Sequence, residues 1–259
     1  MVYRPPTRRS LIARWSRALG AFAVPVLIIA VAGHRFGLMT TDHAVVLSLA
    51  AFACAAAALL FGLIAAAFVW HDGRLGARHA VRGIVYACLV LAPAGWVAFE
   101  AWHYPRLVDV ATDAVDPPMY HQTAFARVGL ANSPTPPPLA ERQRIKSVTP
   151  DLVTRRFTVG SDLLFAVTRR QVEAEGWAIT ELTPPQGDGD RGRIEAEARS
   201  FVFGFRDDVV IRILPEPNGA RLDLRSSSRW GQHDLGRNAR RLRAFLDDLD
   251  KAVVATYGG

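Results

Sequence analysis

The residue types best suited to chemistry lie near the C-terminus, in the stretch RSSSRWGQHDLGRNARR from Arg225 to Arg241. Ser226–Ser228, His233 and Asp234 match the types of a hydrolytic triad. A triad needs a base within hydrogen-bond reach of the nucleophile and a third group that orients the base. Asp234 directly follows His233, and no nucleophile-elbow pattern surrounds the serines. We therefore predict no catalytic residue here and keep an envelope hydrolase that uses Ser226–Ser228 and His233 only as an alternative.

Anion binding is a second chemistry open to this stretch. Asp234 is placed to cap a final helix, whose start presents free N–H groups and a partial positive charge. The candidate anion- or partner-binding residues are Arg225, Ser226, Ser228, Arg229, Asp234, Asn238 and Arg241. In the structural alternative, Asp234 only caps the helix and an arginine pairs with Asp207 or Asp208. Ser228 and Asn238 would then bind backbone groups.

Three aspartates, Asp109, Asp113 and Asp116, raise the question of calcium. Their spacing differs from that of an EF-hand loop, which also needs a central glycine and a terminal glutamate. We predict a capped turn before the following proline pair instead. The chain beyond residue 102 contains no cysteine, which excludes a disulfide framework and a cysteine metal site there. No metal site and no cofactor is predicted.

The elements that must position these residues follow from periodicity. From about residue 150 the chain predicts the order β-α-β-β-β-β-α. The predicted ranges are 151–158, 161–176, 177–182, 193–203, 209–214, 221–228 and 235–256. Short turn-forming stretches between the strands indicate antiparallel pairing. The predicted fold class is an α+β domain, an antiparallel sheet with two helices on one face.

Strand alternation sorts the sheet into two faces. The predicted core face is Ile194, Ala196, Ala198, Val209, Ile211, Ile213, Leu222, Leu224, Ser226 and Ser228. The charged sheet face comprises Glu195, Glu197, Arg212 and Asp223, continued by Arg199, Arg221 and Arg225. Opposite charges on adjacent strands stabilise a sheet slightly. We interpret this face as an ordinary solvated surface, with a docking face for a partner or an anionic headgroup as the alternative.

Before this domain the chain is strongly apolar. Residues about 15–33, 44–70 and 83–102 predict three transmembrane helices, within a membrane region of residues 1–103. The first could instead be a cleaved signal peptide, since Ala30-Val31-Ala32 has the form of a cleavage site. The alanine-rich second helix suits close packing, either within this bundle or between copies. Residues 104–149 are predicted to be an extended, proline-rich linker, and residues 150–257 the α+β domain.

Charge sets the predicted orientation and excludes one class of partner. Residues 1–102 hold nine arginines and three acidic residues, whereas the rest has 22 basic and 21 acidic residues. A nucleic-acid binder would concentrate charge on its binding domain, so nucleic acid is not an expected partner. Arginines precede the first helix and follow the second, which predicts a cytoplasmic N-terminus and a periplasmic C-terminal domain. The expected location is the bacterial inner membrane, where the bilayer itself is a partner.

Three blocks of the chain then carry a family resemblance. VDVATDAVDPP (108–118), GRIEAEARSFVFGFRDDVVIRI (192–213) and DLRSSSRWGQHDLGRNARRLRAFL (223–246) resemble the bacterial family known as domain of unknown function 1499. The resemblance implies a family domain over roughly residues 105–255, preceded in one subgroup by membrane helices. It implies no established activity.

These observations favour a non-enzymatic envelope protein over an enzyme. The anchored topology and the lack of a convincing catalytic group predict binding of a lipid headgroup, a glycan or an envelope protein. The envelope hydrolase remains the enzymatic alternative, and a structural subunit of a larger membrane complex is a third possibility.

Overall fold

The N-terminal part of the chain is three long helices. The computed structural model describes residues 9–72, 75–127, 131–186 and 191–257. The helices are α1 (Leu11–Arg35), α2 (Thr41–Asp72) and α3 (Ala77–His103). All three are long and apolar enough to cross a membrane, which indicates a membrane protein. Each extends past its predicted apolar range at both ends, because helix-compatible polar residues continue the turns; Ser10, for example, caps α1 by accepting from the Ala13 N–H at 3.2 Å.

Small residues let these helices pack closely. The buried positions of α2 are Ala44, Ser48, Ala51, Ala55, Ala58, Gly62 and Ala65. Ser16 Oγ of α1 donates to the Ala58 carbonyl at 2.7 Å. A Cβ added at Gly62 would come within 2.6 Å of Ile84 Cγ1, so only glycine permits this approach. The small residues of α2 therefore pack against α1 and α3 of the same chain.

Among the described residues of the C-terminal part, six strands form one antiparallel sheet. The strands are β1 (Asp109–Ala111), β2 (Arg155–Phe157), β3 (Ala178–Thr183), β4 (Gly192–Arg199), β5 (Arg206–Glu216) and β6 (Gly219–Ser228). Their order is β1-β6-β5-β4-β3, and β2 also pairs with β6. β1 lies opposite Arg225–Ser227 and β2 opposite Ala220–Leu222, so these two short strands share one edge of β6 end to end.

The helices that the structure describes in this part are α4 (Gln122–Phe125), α5 (Leu139–Val148), α6 (Ser161–Ala174) and α7 (Arg237–Tyr257). The predicted fold class is confirmed, because three apolar helices precede an antiparallel sheet with helices. From β2 onward the element order is the predicted β-α-β-β-β-β-α. Contacts group Met1–Phe99 with Val202–Gly204 as one compact unit, and Glu100–Phe201 with Phe205–Gly259 as the other.

The hydrophobic core of the sheet domain lies between the sheet and helices α6 and α7. Every residue of the predicted core face is buried, Ser226 and Ser228 included. From the helices, Leu164, Leu242 and Phe245 are fully enclosed. The ring of Trp177 stacks on Phe245 with centroids 5.1 Å apart. Burial of each such large apolar side chain stabilises the fold by about 1.5–3 kcal/mol.

The opposite face of the sheet is not the solvated surface that we predicted. Glu195 and Asp223 are fully buried, and Glu197 is only 7% exposed. Residues 104–149, predicted to be an extended linker, supply strand β1 and helices α4 and α5, and α4 forms hydrogen bonds with this face. Alternating charge looks the same in a sequence whether a face meets water or meets charged partners, so burial could not be predicted from the strands alone.

Candidate functional site

The first group of candidate residues lies on the side of the sheet that faces α7. Asp207 accepts hydrogen bonds from Arg241 Nη2 at 2.6 Å and from Arg237 Nη2 at 3.5 Å. Arg241 Nη1 also reaches Ser226 Oγ at 2.9 Å, and Ser226 Oγ donates to Asn238 Oδ1 at 2.9 Å. Asp207 itself is fully buried. The arginines at the start of α7 therefore neutralise an internal carboxylate, as the structural alternative proposed.

Asp234 occupies the N-terminal end of α7 with its own carboxylate. Its two oxygens accept from the backbone N–H groups of Gly236 and Asn238, each at 2.9 Å. These are the donors that an external anion would need at a helix start. Burial raises the pKa of Asp234 above its ordinary value, although the two backbone hydrogen bonds lower it. The cap is thus filled by the protein.

The hydrolase alternative needs a serine next to His233, and the structure pairs each serine with another group. Ser226 Oγ donates to Asn238, and Ser228 Oγ accepts from Asn238 Nδ2 at 3.1 Å. Ser227 points to the other side of the sheet, where its Oγ contacts Tyr120 Oη at 3.0 Å. His233 Nδ1 accepts from the Leu235 N–H at 3.0 Å. Strand alternation separates the three serines, and none of them hydrogen-bonds to His233.

Arg225 belongs to a second group, on the opposite side of the sheet. Its guanidinium binds Asp109 of β1 in bidentate fashion, with Nη2–Oδ2 at 2.6 Å and Nε–Oδ1 at 2.9 Å. It also donates to the carbonyls of Pro118 and Pro134 at 3.2 and 2.9 Å. Arg225 has no exposed surface. This side chain holds the segment after β1 onto the sheet, so it is not available to a ligand.

Asp208 is the second anchor on this side. Arg229 Nη2 donates to its Oδ1 at 2.7 Å, and Arg127 Nε donates to its Oδ2 at 2.8 Å. Arg229 also pairs with Glu197 at 3.1 Å. Tyr120 Oη donates to the Asp208 carbonyl at 2.9 Å. Burial raises the pKa of the Tyr120 phenol above its ordinary value, so Tyr120 stays a neutral donor at physiological pH.

Asp223, a further carboxylate of the charged sheet face, also has an internal partner. Asp223 accepts from Arg212 Nη2 at 2.9 Å, and Arg212 Nη1 reaches Asp116 at 2.7 Å. Asp113 Oδ1 accepts from the N–H groups of Val115 and Asp116, each at 2.9 Å. This is the capped turn that the aspartate spacing predicted. The charged sheet face is therefore the inner layer of an interface within the protein.

Glu195 forms the one group of described residues whose atoms could hold a metal ion. Ligand atoms of His121, Glu181 and Glu195 all lie within 4.8 Å of one another. However, Glu195 already accepts from the backbone N–H of His121 and from the N–H and Oγ1 of Thr123, the latter two at 3.0 Å. A cation here would compete with the hydrogen bonds that hold α4. We assign Glu195 the structural role of capping that helix.

An open groove is the site best placed to take a ligand. The Lys146 groove has a volume of about 670 Å³ and lies between α5, β2 and the turn after β1. Its polar lining residues are Thr112, Asp113, Gln143, Lys146, Thr154, Arg156 and Arg221. Arg156 and Arg221 lie directly opposite each other in the β2–β6 pair. Like charges in this position are destabilising, so an anion between them would relieve a cost.

The cations of the Lys146 groove retain binding capacity. Arg156 pairs with Glu216 at 3.1 Å, an exposed contact. Arg221 Nε is buried and makes no hydrogen bond to the described part of the chain; its nearest carboxylate is Asp223 at 3.6 Å. Within the described residues Lys146 has no salt bridge, and its Nζ donates to the Leu152 carbonyl. Burial lowers the pKa of Lys146, although Asp151 and Asp113 raise it in part.

The part of the chain that contains these sites matches a known protein family. The model of the family described as "Protein of unknown function (DUF1499)" matches residues 109–249, more than half of the chain. The chain belongs to this family. The predicted resemblance is thereby confirmed. Among curated proteins, none matches the sequence. The DUF1499 match begins at Asp109, the partner of Arg225, and so includes the segment that covers the charged sheet face.

Several important residues of the DUF1499 domain were not predicted as a site. Asp109, Tyr120 and Arg127 bind the sheet from a segment that looked like a linker. The groove residues Lys146 and Arg221 lie on separate elements with no common spacing. One signal was present in the sequence. Val108, Asp109 and Val110 alternate between apolar and polar side chains, as residues of a strand do. A three-residue strand is too short for that signal to be decisive.

Proposed function

We propose that this protein is a membrane-anchored, non-enzymatic binding protein that takes an anionic group in the Lys146 groove. The observation that carries the proposal is the excess of positive charge in this groove, where Lys146, Arg156 and Arg221 share the lining with one carboxylate, Asp113. Lys146 makes no salt bridge among the described residues, and Arg156 lies directly opposite Arg221 in the β2–β6 pair. A phosphate, sulfate or carboxylate would satisfy these donors through charge-assisted hydrogen bonds. The anion can belong to a lipid headgroup, an acidic glycan or an envelope protein.

The contrast with the other arginines supports this choice. Arg225, Arg229 and Arg241 each bind a buried carboxylate of the same domain. A ligand on one of them would break that pair, and breaking a buried pair costs about 3–5 kcal/mol. The groove cations carry a smaller cost, because the Arg156–Glu216 pair is exposed and because Asp223, 3.6 Å from Arg221, already pairs with Arg212 at 2.9 Å.

Sulfate is a suitable probe because its charge does not change over the useful pH range. The full chain in detergent micelles is heated in sulfate and in chloride at equal ionic strength. We expect sulfate to raise the unfolding midpoint of the wild type in a saturable way, and a Lys146→Gln/Arg221→Gln variant to lose that rise. Arg169→Gln, which removes an exposed cation of α6, is the matched control and should keep it. Full retention by the groove variant would refute the proposal.

We further propose the location that the arginine distribution predicts. The N-terminus lies in the cytoplasm, the three helices cross the bacterial inner membrane, and the sheet domain faces the periplasm. The positive-inside rule supports this orientation, because arginines cluster before α1 and in its first turns, and from the α2–α3 connection into the first turns of α3. The groove would then meet periplasmic or outer-leaflet anions.

A reporter active only in the periplasm tests this orientation. Fused after Gly259, alkaline phosphatase should be active and a cytoplasm-dependent fluorescent protein should be dark. The same pair of reporters fused in the α2–α3 connection should give the reverse result. An inactive phosphatase at the C-terminus would overturn the topology and leave the groove proposal untouched.

A further inference from the structure

The connection between β4 and β5 exposes large apolar side chains. Its sequence is Ser-Phe-Val-Phe-Gly-Phe, residues 200–205. Phe201 is 90% exposed and Val202 is 56% exposed. Gly204 has a φ of +72°, so the turn requires a residue that adopts the left-handed region. We infer that this hairpin tip inserts into the interfacial layer of the lipid bilayer.

Two arginines flank the tip in the way that suits a lipid surface. Arg199 ends β4 and Arg206 begins β5, and the two are direct partners in the strand register. Both side chains are about half exposed, and both share a single carboxylate, Glu197. The pair therefore has an excess of positive charge beside an apolar tip. At bilayer interfaces, apolar side chains lie at the boundary of the acyl chains and cationic side chains lie at the level of the headgroups.

Strand register places the tip at the end of the sheet where the chain arrives from α3. Ser228 N–H donates to the Val108 carbonyl at 2.8 Å, and Arg229 N–H donates to the Arg206 carbonyl at 3.1 Å. Val108 and Arg206 are thus at the same end, separated by β6. At a spacing of about 4.8 Å between neighbouring strands, the two lie about 10 Å apart across the sheet.

Chain length keeps this end within reach of the bilayer. α3 ends at His103 and Val108 follows five residues later, a span of at most about 18 Å. Trp102, 90% exposed, is the kind of aromatic residue that sits at a membrane interface. The β5–β6 turn at Asn218 lies at the other end of β5, about 36 Å away along an 11-residue strand. This polar turn is joined to the tip by the same strand, β5, and serves as the control.

Spin labels at these two turns test the inference in the full chain. Cys54 and Cys88 are replaced by alanine, and Phe201→Cys or Asn218→Cys is then labelled and reconstituted in nanodiscs containing phosphatidylglycerol. Power saturation measures collisions with oxygen, which enriches in lipid, and with a water-soluble nickel chelate. We expect nickel accessibility at residue 201 to be several-fold lower than at residue 218, with equal or greater oxygen accessibility.

Two other results would overturn the inference. Nickel accessibility at residue 201 equal to that at residue 218 would place the tip in water. Low accessibility to both reagents would show that the tip packs against protein. Val202→Cys repeats the measurement on the same turn in case Phe201→Cys does not fold, and matching unfolding midpoints of the labelled proteins confirm that the sheet is intact. The sulfate experiment on the groove is independent of either outcome.

Discussion

At the scale of single residues, the buried arginines are structural. Arg225 is enclosed with Asp109, two proline carbonyls and the ring of Tyr120, whose centroid is 4.6 Å from the guanidinium carbon. Five N–H donors in a planar fork suit such a site, because a bidentate pair and two carbonyls use most of them. The density of arginines around the last strand therefore reflects the number of carboxylates that the fold buries.

Removing Arg225 should be costly. Arg225→Met leaves the Asp109 carboxylate buried and unpaired, so we expect a loss of about 3–5 kcal/mol in the free energy of unfolding. Urea unfolding of the full chain in micelles, followed by near-ultraviolet circular dichroism, measures the loss. Arg156→Met, which breaks an exposed pair with Glu216, should cost no more than about 1 kcal/mol.

A double-mutant cycle separates the pair from its surroundings. Because replacement of both partners removes the unpaired charge, the loss in Arg225→Met/Asp109→Leu should be smaller than the sum of the two single losses. Additive losses would show that the two residues act independently and that the ion pair is not the anchor of β1.

Because Lys146 can lose its charge, anion binding in the Lys146 groove should depend on pH. Its pKa is lowered by burial, so it begins to lose its charge below the pH at which an ordinary lysine would. A neutral amine no longer attracts sulfate; the sulfate-induced rise in the unfolding midpoint should therefore shrink as the pH increases toward 10. Lys146→Arg stays charged throughout this range and should keep the rise. A parallel decline in both proteins would assign the titration to another group.

At the scale of elements, short helix α4 depends on a single carboxylate. A four-residue helix has almost no internal hydrogen bonds, so its N–H groups need outside acceptors. Glu195 of β4 provides them to His121 and Thr123. α4 is thereby attached to the sheet by tertiary contact, which explains why no local pattern predicted it.

Glu195→Gln should release α4. The amide keeps the shape of the side chain and loses the charge and one acceptor, so hydrogen exchange of residues 121–125 should accelerate markedly. Exchange across β4 and β5 should change little, because their ladder remains. Glu173→Gln is the matched control, since the Glu173 carboxylate pairs with Arg169 of its own helix, α6. Unchanged exchange at residues 121–125 would refute the capping role.

At the scale of the whole molecule, we expect the folding unit of the C-terminal part to begin with β1. The family match starts at Asp109, and the segment from β1 to Arg127 supplies partners for Arg225, Asp208 and Glu195. The domain predicted to start at residue 150 lacks all of them. Each unpaired buried charge costs several kcal/mol, and a domain has only about 5–15 kcal/mol of total stability.

Two soluble fragments test this boundary. A fragment of residues 104–257 should unfold cooperatively, whereas a fragment of residues 150–257 should not, because Arg225 loses Asp109, Glu195 loses its partners in α4, and Asp208 keeps only one of its two arginines. Circular dichroism during thermal unfolding distinguishes the two. A cooperative transition of the shorter fragment at the same midpoint would restore the predicted boundary at residue 150.

Much of this architecture could be predicted from the sequence by itself. The three apolar helices, the order of the strands from β2 onward and the core face with Ile194, Ile211 and Leu224 all follow from periodicity. Periodicity is a local property, since each residue's position on a helix or strand depends only on its near neighbours. The capping role of Asp234 is local for the same reason.

Only the tertiary structure decided what the charged residues do. Asp109 and Arg225 are 116 residues apart, and no sequence pattern around either residue identifies the other as its partner. Glu195 and Asp223 alternate with apolar residues as a solvated face would, yet a segment far away in sequence buries them. Lys146 and Arg221 become neighbours in one groove through the pairing of β2 with β6. The role of a charged side chain depends on the partners that folding brings within a few ångströms, and these partners can be far away in sequence.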